Sequence, residues 1–337
     1  MNVHNRDLQP SDEIKAMFTQ LGTLIANSQI DEAFSCYEKR AVTAKIRYHY
    51  IGRFGMAFVL ISTFYTVAES LVIPTFQGER FVSAIAIAVG IVGLGLQAFL
   101  FASHAKQRWL MARFGAERVR SIAFQAYSLV QAATDISALE NALNDFYTQS
   151  LAKLQAELNT GPAALDLYVP SAALMLPSVP NKAQNQELVA RARQAFVELR
   201  LTYQQRYASS ENLRLEENGR VGESLSDFLY LTGGVLAIAA LCVKLALPDH
   251  ANLSAWIDFT AVTAFIFGLS KVVFDAASNG IPSRDRYSRY LAQLTTISND
   301  LTDNKMTLID LVRRTEQAAL EELGQFCQSA SRTSYRL

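Results

Sequence analysis

The chain has 337 residues, about half of them apolar, with 31 Lys and Arg against 31 Asp and Glu. It is too apolar for disorder and too neutral for a dedicated duplex-DNA binder. Only Cys36, Cys242 and Cys327 are present, far apart, which excludes a disulfide framework and a CxxC metal or redox pair and fits a reducing cytoplasm.

Residues 1–53 are polar, mix acids, bases and aromatics, and lack the charged-then-apolar-then-small order of a cleaved signal, so they read as N-terminal cytoplasmic helices. Four apolar runs follow, Phe54 to Ile73, Val82 to Ala102, Phe228 to Leu247 and Trp256 to Phe274. Each approaches the roughly 20 residues that a helix needs to cross a bilayer. Only Pro74 to Phe81 separates the first two, and only Pro248 to Ala255 the last two, so each pair should form an antiparallel hairpin, over 54–102 and 227–275. Basic residues cluster before the first and third spans and after the second and fourth, whereas the hairpin turns offer only Arg80. Both termini and the segment 103–226 should therefore be cytoplasmic.

From His104 to Gln131 there is no Pro and a single Gly, so the second span should continue as one helix out of the membrane. Thr134 or Asp135 can cap a further helix with apolar positions at Ile136, Leu139, Leu143, Phe146, Leu151, Leu154 and Leu158. The loop 161–180 holds Pro162, Pro170, Pro177 and Pro180 and is apolar for a solvated linker. It should pack either on the cytoplasmic helices or on a neighbouring subunit. Helical pattern resumes over 183–217 and, within the C-terminal cytoplasmic region 276–337, over 284–328. The fold expected is an all-α membrane protein: four transmembrane helices in two hairpins, with long cytoplasmic helices forming a helical bundle.

Catalytic motifs are missing: there is no Gly-rich phosphate loop, GxSxG or HExxH, and His4, His49, His104 and His250 are isolated. The chain reads as no enzyme, with no cofactor and no metal. Ionisable groups in the spans say more, since burying them in hydrocarbon is costly. Glu69, Lys244 and Asp258 should share one depth near the outer face, where they either snorkel and pair or form the mouth of an ion path. Lys271 suits an inner interfacial anchor. Gln97 either lines a pathway or bonds across helices, and Gly90, Gly93 and Gly95 allow close packing or hinging. These glycines also leave room for a small transporter with broken helices.

The segment HAKQRWLMARFGAERVRSIAFQAY resembles the SLATT family in its Arg108-Trp109 pair, Arg113, and the run Ala116, Glu117, Arg118 and Arg120, followed by Tyr127. The run CYEKRAVTAKIRYHY before the first span and the closing helix with Glu316, Glu321 and Phe326 are similar to that family too, although Trp is more usual than Phe at the last position. The second hairpin lacks the Arg-Trp run, and RDRYSRY after it is at most a worn copy, so it is either a degenerate duplicate or an unrelated hairpin. The resemblance implies a pore-forming effector of bacterial anti-phage systems in the inner membrane, a homo-oligomer answering a nucleotide or oligonucleotide from a partner synthase. An anionic signal needs converging bases beside stacking aromatics. Arg108, Trp109, Arg113, Arg118 and Arg120, with Tyr203, Arg206 and Tyr207, are the ligand-binding or coupling candidates. Trp109 with Arg108 and Arg113 also suits a simple interfacial anchor. A non-conducting membrane scaffold for a separate effector is the alternative.

Overall fold

The computed structural model describes residues 7–8, 12–71, 80–166, 168–176, 185–246, 255–264, 266–268, 280–302 and 306–332, some helical positions without their side chains. Among these residues the chain is all-helical, with no strand. In chain order the helices are α1 (Asp12–Met17), α2 (Gly22–Ile25), α3 (Ser28–Leu71), α4 (Arg80–Ala102), α5 (Ala105–Gln125) and α6 (Ile136–Leu158). There follow α7 (Ala163–Asp166), α8 (Gln186–Phe196), α9 (Tyr203–Ala246), α10 (Ala255–Gly268), α11 (Gly280–Thr302) and α12 (Leu308–Arg332). A π-helical stretch, Val197–Thr202, joins α8 to α9.

The chain divides into two compact units, one of Met1–Thr43, Gln107–Arg214 and Pro282–Arg332, the other of Ala44–Lys106, Leu215–Ile281 and Thr333–Leu337. The expected hairpins, 54–102 and 227–275, fall inside the second unit, whose segments begin about ten residues earlier in each case.

The first unit is built around α5. From Phe114 onward every residue of this helix except Glu117 is buried, as is the 3-10 turn Ala126–Gln131, with Phe114, Val119, Ile122 and Val130 wholly inaccessible. A helix enclosed this way normally reads as apolar all round, yet α5 carries Arg118, Arg120, Ser121 and Gln125 into the interior. The covering comes from α3, α6, α8, α11 and α12, through Phe34, Leu139, Phe196, Leu294 and Val312 among others.

Local chemistry sets the boundaries. Asp135 caps α6, accepting from the Ala138 amide at 2.8 Å, and Asn185 caps α8, accepting from Leu188 at 3.0 Å. Along α6 the expected positions Leu139, Leu143 and Leu154 are buried, but Tyr147 rather than Phe146 is the deepest aromatic, and Ile136, in the first turn, is exposed. The apolar loop after α7 packs on its own chain. Tyr168 meets the edge of Phe114 at 4.9 Å between ring centroids and donates to the Leu320 carbonyl, while Ala173 is buried. Arg118 donates to the Ala173 carbonyl at 2.9 Å, and the Gln125 amide both donates to that carbonyl and accepts from the Met175 amide. The enclosed part of α5 thus uses two polar side chains, seven residues apart, to satisfy the backbone of a loop that has no regular partner.

Two expectations need correction. The second span does not run on into α5: α4 ends at Ala102, Ser103 and His104 form a turn, and His104 takes φ 48°, a left-handed conformation that ends the ladder of helical bonds. Continuity lies elsewhere, since α3 and α9 each run 44 residues without a break, so residues 28–53 are the first half of a helix and not separate N-terminal helices. The pattern over 284–328 is two helices, α11 and α12, the second beginning after Thr307, whose hydroxyl accepts from the Asp310 amide.

In the second unit, α3 and α4 pack antiparallel. Gly93 lies against the Val59 amide and the Gly55 carbonyl, Gly90 lies against Ser62, and Gln97 donates to the Gly52 carbonyl at 3.3 Å. Thr63, Thr66 and Thr260 return their hydroxyls to carbonyls four residues back, which satisfies them without water. Two helices, Ser28–Ala68 and Ala84–Ala102, are long and apolar enough to cross a membrane, and little of their apolar surface is covered by the chain. Ala255–Gly268 is a shorter apolar helix, joined to α3 by the contact of Phe259 with Phe64. The run 228–246 is the C-terminal half of α9, with Phe228, Leu231, Val235 and Ile238 exposed.

A methyl group at Gly93 would come within 2.8 Å of the Val59 backbone nitrogen and 2.9 Å of the Gly55 carbonyl, atoms that cannot rotate away, whereas at Gly95 it would meet open space. Gly93→Ala should therefore destabilise the chain by about 1–3 kcal/mol. Gly95→Ala should be neutral, or gain up to about 1 kcal/mol from helix propensity. Thermal unfolding of the two variants in detergent checks the contrast.

Candidate functional site

Polar side chains from five helices, from the π-helical stretch and from the N-terminal segment converge inside the first unit. Arg200, on the π-helical stretch, makes a two-pronged pair with Glu316 of α12, Nε to Oε1 at 2.7 Å and Nη2 to Oε2 at 3.1 Å. Its Nη1 reaches Asp7 at 3.4 Å. Arg120 of α5 contacts the same Asp7 oxygen through Nε at 3.3 Å and donates through Nη1 to both oxygens of Glu117 at 2.8 Å. The Asp7 and Glu316 side chains are wholly inaccessible, and those of Arg120 and Arg200 expose 6% and 2%. These four form a charge-balanced inner group of two guanidiniums and two carboxylates.

An outer layer extends it. Glu117 also pairs with Arg113, which lies 3.6 Å from Glu38. Gln204 donates to Asp7 and accepts from the Tyr290 hydroxyl, and Arg200 lies over the Phe124 ring at 4.7 Å. Burial alone would raise the Glu117 carboxyl, but the guanidiniums of Arg113, Arg120 and Arg200 outweigh it and hold it down at about 2. Burial also disfavours the charged forms of Arg120 and Arg200, and the facing carboxylates more than reverse this, keeping both protonated. At Glu316 burial dominates and raises the carboxyl, with Arg200 acting against it.

A cavity of about 30 Å³ adjoins this group, lined by Glu117, Ser121, Arg200, Gln204, Tyr290 and Glu322 together with residues of α12. It has room for one or two waters, and in this conformation it cannot admit a base with its phosphates.

The sequence candidates distribute unevenly. Tyr207 lies near Arg113 and Tyr203 near Arg120, so the arginine and tyrosine groups do meet, on α5 and α9 running antiparallel. Among them, however, sit Asp7, Glu38 and Glu117, so Arg113 and Arg120 are occupied by the chain's own carboxylates rather than open to an anion. Arg118 is 1% exposed and serves Glu157 and the Ala173 carbonyl. Tyr207 shares a hydroxyl contact with Tyr287 at 3.3 Å, and Arg108 and Arg206 are on the surface.

Trp109 is no exposed interfacial anchor. It is buried with its ring 6.1 Å from that of Phe326, edge to face. Arg286 lies over the same Phe326 ring at 5.1 Å and pairs with Glu322 at 2.8 Å. In the second unit Gln97 bonds across helices, and α4 continues unbroken through Gly90, Gly93 and Gly95, which fits packing rather than a hinge. Asp258 is half-buried on α10. The side chains of Glu69 and Lys244, and Lys271 entirely, lie outside the described residues, and with them the expectation that Glu69, Lys244 and Asp258 share one depth.

Sequence reasoning missed Asp7, Arg200 and Glu316 as members of one cluster. A signal was present for two of them: Glu316 falls between Val312 and Leu320 on the buried stripe of α12, and Arg200 precedes Gln204 and Ala208 at helical spacing on a buried face. A charge in the middle of an apolar stripe requires a buried partner. Comparison of the chain with family models, curated proteins and solved structures finds no match.

Glu316→Leu removes the two-pronged partner of a guanidinium that is 2% exposed. It should cost about 3–5 kcal/mol in chemical unfolding, and combining it with Arg200→Met should cost less than the single change. For pH, a carboxyl depressed to about 2 contributes stability that is complete above the ordinary value of 4.5 and is lost as pH falls through about 2. The melting temperatures of wild type and Glu117→Gln, measured from pH 7 downward, should therefore converge below pH 4.5.

Proposed function

We propose that this chain is a membrane effector of the SLATT type: a homo-oligomeric ion channel of the bacterial inner membrane, acting in anti-phage defence and gated at its cytoplasmic helices by a nucleotide or oligonucleotide signal. Its opening depolarises the cell. In this reading the second unit is a pair of hairpins giving four crossings, the helices of the first unit form a cytoplasmic bundle, and both termini are cytoplasmic.

The observation that carries it is the pair of unbroken 44-residue helices, α3 and α9. Each begins among charged and aromatic residues and ends in an apolar stretch with exposed Ile, Leu, Val or Phe. A continuous helix passes rotation or tilt along its length without a flexible joint, which suits a device in which a polar region controls an apolar one. The route first expected for coupling, from α4 into α5, has a joint at His104. Trp109 and Phe326, two of the residues on which the resemblance rests, stand far apart in sequence and pack together. Four spans in one chain are few for an aqueous path, so several copies around an axis are part of the proposal.

The rival reading, a non-conducting scaffold, is favoured by the internal neutralisation of the buried cluster, whose arginines among the described residues are met by the chain's own carboxylates. Ion flux from purified protein in liposomes separates the two. Ligand-dependent conductance is expected, and its absence under every nucleotide condition overturns the channel. If Glu69 and Asp258 set the field of an outer mouth, Glu69→Gln with Asp258→Asn should lower cation preference, read as a shift in reversal potential, with assembly intact. Unchanged currents would remove these residues from the path.

A further inference from the structure

The two buried carboxylates that balance Arg120 and Arg200 are held very differently. Glu316 belongs to a long helix and grips Arg200 at 2.7 and 3.1 Å. Asp7 lies in a turn ahead of α1, and its contacts to Arg120, Arg200 and Gln204 are 3.3, 3.4 and 3.4 Å, all through one oxygen. Charge-assisted bonds at full strength lie near 2.7–2.9 Å, so Asp7 is the looser of the two. Its other oxygen accepts only from the next amide, that of Leu8 at 3.1 Å, among the described residues.

We infer that Arg120, Arg200 and Gln204 form an oxyanion site, for a carboxylate or phosphate group, which the N-terminal segment occupies with the Asp7 carboxylate as an internal ligand. Three features converge on this. Three buried donors, Arg120 Nε, Arg200 Nη1 and Gln204 Nε2, face one oxygen of Asp7, and although Glu117 and Glu316 still offset the two guanidiniums, removing Asp7 takes away the oxygen on which those donors converge. The water-sized cavity is lined by the same Arg200 and Gln204, so the volume vacated by the carboxylate adjoins space already present. Arg200 is presented by six residues of π-helix, a conformation that is rare and concentrated at functional sites.

The ligand is defined by one oxyanion, not by a base or a sugar. Phosphate would stand for a phosphorylated signal, and formate for a carboxylate from a peptide. An anion that outcompetes the tethered Asp7 carboxylate releases that side chain from the core, which makes the contact autoinhibitory. The inference deepens the signal-gated reading above and rests on it only for the origin of the anion. Its test needs no conductance, so the two can fail separately.

The test is chemical rescue in the full chain in detergent. Asp7→Ala removes the carboxylate and leaves its volume, whereas Asp7→Asn removes the charge and keeps the volume filled. Melting temperature is followed as sodium formate, or inorganic phosphate, is titrated against sodium chloride at matched ionic strength. The expected result is that Asp7→Ala melts lower than wild type in chloride and recovers saturably with millimolar formate or phosphate. Asp7→Asn should show no response beyond the chloride control, and neither should wild type with these small free anions, because its tethered Asp7 carboxylate competes as an intramolecular ligand. Rescue by one anion alone assigns the site to that class. An Asp7→Ala protein as stable as wild type, or one that formate and phosphate help no more than chloride, overturns the inference. If Asp7→Ala yields no folded protein in chloride, it is produced with formate or phosphate present throughout. Recovery only with the anion supports the site, and failure with both overturns it.

Discussion

The constraint on which the first unit depends is the enclosure of α5. The covered part of this helix cannot solvate Arg118 and Arg120, and a guanidinium does not shed its proton in a protein, so each must meet acceptors inside the fold, which for Arg120 include Glu117 one turn away. The other acceptors come from the N-terminal segment, from α6, from the loop after α7 and, through Arg200, from α12. Buried ion pairs are poor sources of net stability, because desolvation cancels most of the Coulomb gain, but losing one partner is severe. Their effect here is to exclude alternatives: a shift of α12 by one residue along its axis would turn Glu316 off Arg200 and leave a bare charge in the core.

The same reasoning ranks the members of the cluster. Glu117 and Arg113 are one turn apart on a single helix and partly reached by solvent, so their pairing is local and tolerant. Arg200 and Glu316 are 116 residues apart and sealed, so their pairing carries information about the tertiary arrangement. Asp7 combines sealing with weak geometry. Pairs of the second kind specify a fold, and a sealed but loosely held group is the natural place for a fold to be altered.

Much of the helical content was legible from periodicity and capping, and the reasons are local. Asp135 stands where an Asx cap must stand, and Leu139, Leu143 and Leu154 repeat at the spacing that one helix face requires. Two kinds of information were not legible. A turn such as Ser103-His104 carries neither Gly nor Pro, and His104 adopts a positive φ that its residue type signals only weakly, so a continuous helix was the natural expectation. The charge cluster failed for another reason. Arg118 and Arg120 look solvated when read along α5 alone, and their burial follows from the number of helices around them, a property of the tertiary fold. The readable clue was the converse one, an acid at position 316 within an apolar stripe.

The arrangement around Trp109 changes what the Arg-Trp run can mean. At the end of an apolar stretch a Trp beside Arg suggests headgroup contact, and that role needs the indole at the surface. Here the ring is covered by Phe326, whose own ring lies under Arg286, which in turn pairs with Glu322. Indole, phenyl, guanidinium and carboxylate thus form one chain of contacts joining α5, α11 and α12, and each link is short-ranged and geometry-dependent. Arg286 stands one turn before Tyr290, which bonds Gln204, and Gln204 bonds Asp7. The aromatic contact at Trp109 and the buried contact at Asp7 are therefore linked through α11. A motif that reads as an anchor when viewed along the chain becomes, in the folded unit, the far end of the network that the N-terminal carboxylate closes.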